Sequence, residues 1–288
     1  MRETITAVVG SWRGILPLSI IAVYGLVALF GPWIVPFDPL SASPIDRLLP
    51  PGAETSTGDR AILGTDQVGR DVFAQVISGA RISMLVGVAT LAIAGIVGSV
   101  VGMMSGYFGR PLDGIVMRIA DIQLAFPSLL LAIFIASFLG ASVMNVIFTL
   151  AVTRWVIFAR VARGQTLATR TKEFVVGTWA LGASHNFILG RCIAPSARGA
   201  LIVVATMELG LVIIAEASLS FLGLGTPSSS PSWGLTIATG RDYLASGWWV
   251  STMPGIALAV LVVAIGGLGD FLRDVLDPYR QTGVIQKS

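Results

Sequence analysis

Apolar residues along the chain gather into six long runs: Ile15–Val35, Ile82–Ser105, Ile115–Leu139, Val143–Val161, Ala200–Leu222 and Met253–Leu272. A bilayer hydrocarbon core about 30 Å thick needs roughly 20 mostly apolar residues per crossing helix. Each run is long enough, and glycine or proline inside a run is tolerated because neighbouring helices re-satisfy the backbone. The pattern predicts an all-α integral membrane protein with six transmembrane helices. The third run is the least uniform: Arg118, Asp121 and Gln123 fall in its first turns, and Pro127 removes a backbone hydrogen bond and predicts a kink. Arg118 and Asp121 are close enough along a helix to be expected to pair. The first run exceeds a signal-peptide core and is followed by Gly31-Pro32-Trp33 instead of a small-x-small cleavage site, so it is read as an uncleaved helix.

Three connecting segments carry most of the polar residues. Pro36–Ala80 begins with Pro36, Pro39, Pro44, Pro50 and Pro51 and predicts an irregular excursion. From Asp66 its character changes: Val68, Val72, Val76 and Ile77 recur at near-helical spacing among Gln67, Arg70, Asp71 and Gln75. That spacing predicts a short amphipathic helix on the membrane surface or on the protein's outer face. Gly223–Ser251 contains Trp233, Trp248 and Trp249, residues suited to the membrane interface. Ala162–Gly199 is the longest polar interlude. Basic residues set the orientation. With the N-terminus inside, the cytoplasmic side holds fourteen (Arg2, Arg13, Arg110, Arg118, Arg154, Arg160, Arg163, Arg170, Lys172, Arg191, Arg198, Arg273, Arg280, Lys287). The outer side then holds five (Arg47, Arg60, Arg70, Arg81, Arg241). Both termini are therefore expected in the cytoplasm. The chain divides into residues 1–80, a first helix plus an extracytoplasmic segment, and residues 81–288, a five-helix core with a cytoplasmic loop at 162–199.

Composition supports lipid as the solvent. The chain is 54% hydrophobic and 12% charged, with a mean hydropathy of +0.82, against about 25% charged residues in an ordinary soluble domain. A net charge of +3, scattered topologically, does not favour nucleic-acid binding. Cys192 is the single cysteine and His185 the single histidine, which excludes an internal disulfide and makes a Cys- or His-based metal centre an unpromising reading. There is no G-x-x-x-x-G-K-[ST] phosphate loop and no HExxH. Catalysis by this chain is not expected; if transport is ATP-driven, the ATPase is another polypeptide.

Within the runs, Gly98, Gly102 and Gly106 are spaced by four and predict a close helix–helix contact. Glu208 lies about 12 Å into its helix at 1.5 Å per residue from Ala200, near mid-bilayer, and Glu216 about 24 Å in. A buried acid in a membrane faces the bundle interior or a water-filled cavity. Glu208 therefore either lines a translocation path, with Gln123, Met207 and Glu216 as its other candidate residues, or pairs with another helix; Glu216 alternatively anchors the loop that follows it or meets a partner subunit. In the stretch TKEFVVGTWALGASHNFILGRCIAP (Thr171–Pro195), Phe174, Val175, Trp179, Ala180 and Leu181 are expected on one helix face. Gly182-Ala183-Ser184 is then expected to break the helix, and a second amphipathic stretch, Phe187–Ile193, precedes Pro195. Two short helices of this kind make a knob able to enter a partner's groove, or an ordinary loop packed under the bundle.

LGAS followed by a proline a dozen residues on resembles the coupling loop, or EAA loop, of permeases in bacterial ABC importers. Val176-Gly177-Thr178 replaces the family's Glu-Ala-Ala and Ala194-Pro195 its Leu-Pro, so Gly182 and Pro195 carry the match. LGTDQVGRDVFAQVISGARISMLVG (Leu63–Gly87), MRIADIQLAFPSLLLAI (Met117–Ile133), EASLSFLGLGTPSSSPSWG (Glu216–Gly234) and LGDFLRDVLDP (Leu268–Pro278) are similar, in order, to the C-type permeases for dipeptides, oligopeptides and nickel. The resemblance implies a type I ABC importer permease fold in the bacterial inner membrane. It implies as partners a second homologous permease, two ATP-binding subunits or domains holding ATP and Mg²⁺, and an extracytoplasmic substrate-binding protein; no cofactor is expected on this chain. It also implies ATPase coupling through Glu173, Phe174, Val176, Gly177, Trp179, Leu181, Gly182, Ala183, Ser184 and Pro195. Partner contacts at the outer face are expected at Asp66, Arg70, Asp71, Arg81 and Trp233. The competing reading is a self-sufficient secondary transporter with Glu208 as its ion-coupling site.

Overall fold

The computed structural model describes residues 11–35 and 38–276. Pro36, the charges Arg2, Arg280 and Lys287, and the Asp277-Pro278 end of the last motif lie outside the described residues. The described residues are helical apart from turns, loops and two isolated bridges, Glu54–Arg60 and Thr65–Asp71. The helices are α1 (Trp12–Ile34), α2 (Val72–Phe108), α3 (Leu112–Leu124), α4 (Ser128–Leu139), α5 (Val143–Arg170), α6 (Glu173–Ala180), α7 (His185–Phe221), α8 (Trp233–Gly240) and α9 (Trp249–Leu276). Five of them are long and apolar enough to cross a membrane. Counting the bent pair α3–α4 as one span gives six, one for each of the six apolar runs.

The third span is broken more sharply than a kink. α3 and α4 meet at 90° across Ala125–Pro127. Pro127 has no N–H for the helical ladder, and its ring pushes Phe126 away from helical geometry. The other spans form a bundle in which α2 against α5 is the most extensive contact. Its cause is the glycine stripe. A Cβ at Gly98 would strike the carbonyl of Trp155, and one at Gly102 that of Ala159. Only glycine lets the two backbones touch there. α7 packs on both α2 and α9, and α1 leans on α2 and α9, where the Tyr24 hydroxyl donates to the Ala257 carbonyl at 2.9 Å.

Three expectations need correction. The amphipathic stretch around Val68–Ile77 is no separate surface helix: α2 starts at Val72 and runs unbroken through 37 residues. Val72 is fully buried and packs with Val76 against Trp249 and Val250, so the apolar spacing serves an internal contact instead of the membrane surface. The boundary at 80/81 consequently falls inside a helix. Second, Trp233 and Trp249 are buried and only Trp248 is substantially exposed. Their indole N–H groups donate inward, to the carbonyls of Val76 (2.9 Å) and Thr65 (3.0 Å). Third, residues 162–199 are mostly helix: α5 continues to Arg170, α6 follows, and α7 begins at His185. The stretch Ile188–Ile193 is a π-helical turn within α7, and Pro195 follows just after it.

Candidate functional site

Three places along the bundle hold the residues singled out by sequence. At one end, α6 and the turn after it project from the bundle. Glu173 opens the helix, where a negative side chain suits the helix dipole. Leu181 closes it, Gly182 turns the chain with φ +83°, and the Ser184 hydroxyl caps α7 by accepting from the Phe187 N–H at 3.3 Å. A side chain at Gly182 would meet nothing within 4 Å, so the backbone conformation, not space, demands glycine. The apolar residues divide by face in a way the sequence reading missed. Val175 is buried against Ile188 and Ile193, whereas Phe174, Val176, Trp179 and Leu181 are exposed, Leu181 by 91%. Val175 roots the helix and the other four form an uncovered apolar crest.

The second place is midway along the bundle. Glu208 on α7 is paired with Arg154 on α5 at 3.3 Å, and their side chains are 9% and 18% exposed. Arg154 therefore lies within the bundle and leaves the count of basic residues outside it, whose bias keeps its sign. Arg154 Nε is buried and has no partner among the described residues. One turn of α5 is also tied to α3: Gln123 Nε2 donates to the carbonyls of Val152 (3.0 Å) and Thr153 (3.1 Å), and its Oε1 accepts from Trp155 Nε1 at 3.0 Å. Gln123 and Glu208 thus reach neighbouring residues of α5 from two different helices, while Met207 is partly exposed on the outside of α7. Asp121 turns to Arg160 and not to Arg118 as expected, because the long α5 presents its arginines along α3.

The third place is the opposite end. Glu216 is fully buried and accepts from the hydroxyls of Ser83 on α2 (2.9 Å) and Ser220 (2.8 Å). Ser220 in turn accepts from the Thr226 N–H at 3.2 Å, so Glu216 anchors the loop that follows. Trp233 lies against Gly79, and a Cβ at Gly234 would collide with the Ala217 backbone. The motif LGTDQVGRD folds into a knot on the start of α2. Asp66 is buried and accepts from the N–H groups of Val68 and Arg70 and from Gln75 Nε2, each at 2.9 Å. Asp71 caps α2 by accepting from the Ala74 N–H at 2.7 Å. Gly69, at φ +78°, lies where a Cβ would collide with the Ser43 carbonyl. Of the expected outer contacts, Asp66 and Trp233 are spent internally, Arg70 and Asp71 are half-buried, and Arg81 is exposed. Beside the knot, Asp46 organises residues the sequence reading passed over. It accepts from Ser43 Oγ (2.7 Å), Ser56 N–H (2.7 Å) and Ser56 Oγ (2.8 Å), and these bonds hold its carboxyl below the usual carboxylate range. A lone Asp among prolines gives no periodic signal, because one partner, Ser43, is three residues before it and the other, Ser56, ten after it. No group of three or more His, Cys, Asp or Glu side chains among the described residues could hold a metal.

Residues 98–281 match the family described as binding-protein-dependent transport system inner membrane component. The chain is 39% identical over 269 residues to a probable D,D-dipeptide transport system permease protein, DdpC, of Escherichia coli K12, covering 93% of this chain and 88% of that one. It is 35% identical to the di/tripeptide transport system permease protein DppC of Pseudomonas aeruginosa, with the same coverage. It is also 35% identical to the nickel transport system permease protein NikC of E. coli K12, over 94% of this chain and 96% of that one. Among solved structures, an inward-facing MetNI methionine ABC transporter chain shares the fold: TM-score 0.57 at 21% identity, covering 70% of this chain and 96% of that chain.

Proposed function

The chain belongs to the binding-protein-dependent transport system inner membrane components, and from that premise we propose that it forms half of the path by which an ATP-driven importer admits di- or oligopeptides, or a nickel chelate. It is a membrane-spanning permease component of an ABC importer. The proposed remainder of the assembly is a second homologous permease, two ATP-binding subunits holding ATP and Mg²⁺, and a substrate-binding protein on the outer side. Peptide is preferred to nickel as the cargo class because, of the relatives quoted above, the D,D-dipeptide permease is 39% identical and the nickel permease 35%.

The observation that carries the coupling role is the crest of Phe174, Val176, Trp179 and Leu181. Such a patch at the end of a bundle, on a helix rooted by Val175, has the form of a segment that enters an apolar groove. For ATP to do work, the groove must bind this crest differently in the closed and open states of the ATPase, since equal binding shifts nothing. Glu208 is neutralised within the chain by Arg154, which removes the isolated acid that a self-sufficient ion-coupled transporter would use. The test is co-purification of the P-loop ATPase with Trp179→Asp/Leu181→Asp, together with ATP-dependent dipeptide uptake. The variant should fold, lose at least tenfold of the bound ATPase and lose uptake in parallel. Full ATPase retention and full uptake would reject the crest as the coupling surface.

A further inference from the structure

The acids near the α2–α3 turn are already taken. Asp113 accepts from Arg163 at both carboxylate oxygens (2.5 and 2.7 Å) and from the Ser105 hydroxyl, and Asp121 is paired with Arg160. Arg110 and Arg118 consequently form no ion pair or side-chain hydrogen bond among the described residues. Both are exposed, and with Pro111, Gly114, Ile115 and Ile119 they line a groove of about 520 Å³ on the outer face of α3. Gly114 is its floor, where a Cβ would meet nothing within 4 Å. Arg110 stands in the turn just before α3 and Arg118 in its second turn, with Ile115 and Ile119 between and beside them and Ile122 a turn further on. All three isoleucines are more than half exposed. The opposite face of α3, Val116 and Ala120, is buried.

We infer that this groove is a binding site for an anionic phospholipid, whose phosphate bridges Arg110 and Arg118 while an acyl chain lies along Ile115, Ile119 and Ile122. Charge complementarity favours an anion, because two guanidinium groups that form no ion pair among the described residues, their neighbouring acids Asp113 and Asp121 being held by Arg163 and Arg160, sit at the end of an apolar helix face. The isoleucines require that the anion carry a hydrocarbon tail, which separates a lipid from free phosphate. Arginine offers a planar fork that grips phosphate oxygens in pairs, and basic residues beside a span attract anionic headgroups. The site depends on the chain lying in a membrane and not on which solute is carried.

The intact assembly, purified in mild detergent, is exposed to equal amounts of phosphatidylglycerol and phosphatidylcholine, and bound lipid is read by native mass spectrometry. Wild type should retain phosphatidylglycerol about tenfold over phosphatidylcholine, a preference that shrinks as salt is raised. Arg110→Gln/Arg118→Gln should lower that preference to near unity while leaving the melting temperature in lipid-free detergent unchanged. Equal retention of the two lipids by wild type, or a preference indifferent to salt, would overturn the site without recourse to the variant. So would an Arg118 that cross-links to an acidic residue of a co-purifying permease with no lipid retained, because the groove would then be a subunit interface.

Discussion

Single residues carry two testable dependences. Glu208 and Arg154 are held in an apolar bundle by each other, and removing one partner of a buried pair leaves an uncompensated charge, at a cost of about 3 kcal/mol or more. Removing both costs far less, because neither charge then has to be desolvated. Glu208→Leu should therefore lower the melting temperature markedly, and the double variant Arg154→Met/Glu208→Leu should recover most of it. Simple addition of the two losses in detergent melts would contradict the pairing. Asp46 gives a pH dependence whose sign is fixed. Its folded carboxyl titrates below the unfolded value of about 3.9, so its contribution is complete above that pH and disappears as pH falls through the lower folded value. The gap in melting temperature between wild type and Asp46→Asn should be constant from pH 8 to 5 and close below about pH 4. A gap that instead closes towards neutral pH would refute the assignment. Neither partnership was readable from spacing: Arg154 is 54 residues from Glu208, and Ser56 is ten from Asp46.

Elements show where periodicity is a reliable guide and where it misleads. The glycine stripe was legible because a four-residue repeat of a residue without a Cβ has one main use on a membrane helix, close approach of another helix. Gly102 and Gly95 provide a matched comparison on the same helix. A Cβ at Gly102 collides with the backbone of Ala159, whereas at Gly95 the nearest neighbour is a Phe158 ring atom at 3.6 Å. Gly102→Ala should cost at least about 1–3 kcal/mol, the range for overpacking, and Gly95→Ala almost nothing. Equal melting temperatures for the two variants would show that α2 and α5 slide apart freely. The start of α2 was misread because valines four apart are equally consistent with a helix on a bilayer and with one packed on protein. The position of Trp249, 177 residues after Val72, decides between them.

At the scale of the molecule, the six runs of apolar residues and the charge bias predict which ends of the bundle face which compartment. The crest of α6 belongs with the basic end and the Asp46 segment with the other, and the single native cysteine makes this measurable. In a Cys192→Ser background, Thr57→Cys should react with a membrane-impermeant maleimide in intact spheroplasts. Leu181→Cys, almost fully exposed, should react only after permeabilisation. The reverse pattern would invert the topology and with it the assignment of the crest to a cytoplasmic ATPase.

The sequence by itself determined the solvent, the six apolar runs, an interruption at Pro127 and a close helix contact on the glycine stripe. Each of these rests on local composition or short-period spacing, which survives without knowledge of what lies across the bundle; the family was legible separately, as a resemblance carried by four long motifs in order. Tertiary structure alone decided which polar residues are free. Asp66 and Trp233 look like surface groups in the sequence and are consumed inside, because a buried polar atom must find a partner wherever the fold brings one. Arg118 looks neutralised by Asp121 and forms no ion pair among the described residues, because that acid is held by Arg160 of α5. Phe174 and Val175 are neighbours in sequence with opposite fates, since a helix turns about 100° per residue and only the position of the next helix says which side is covered.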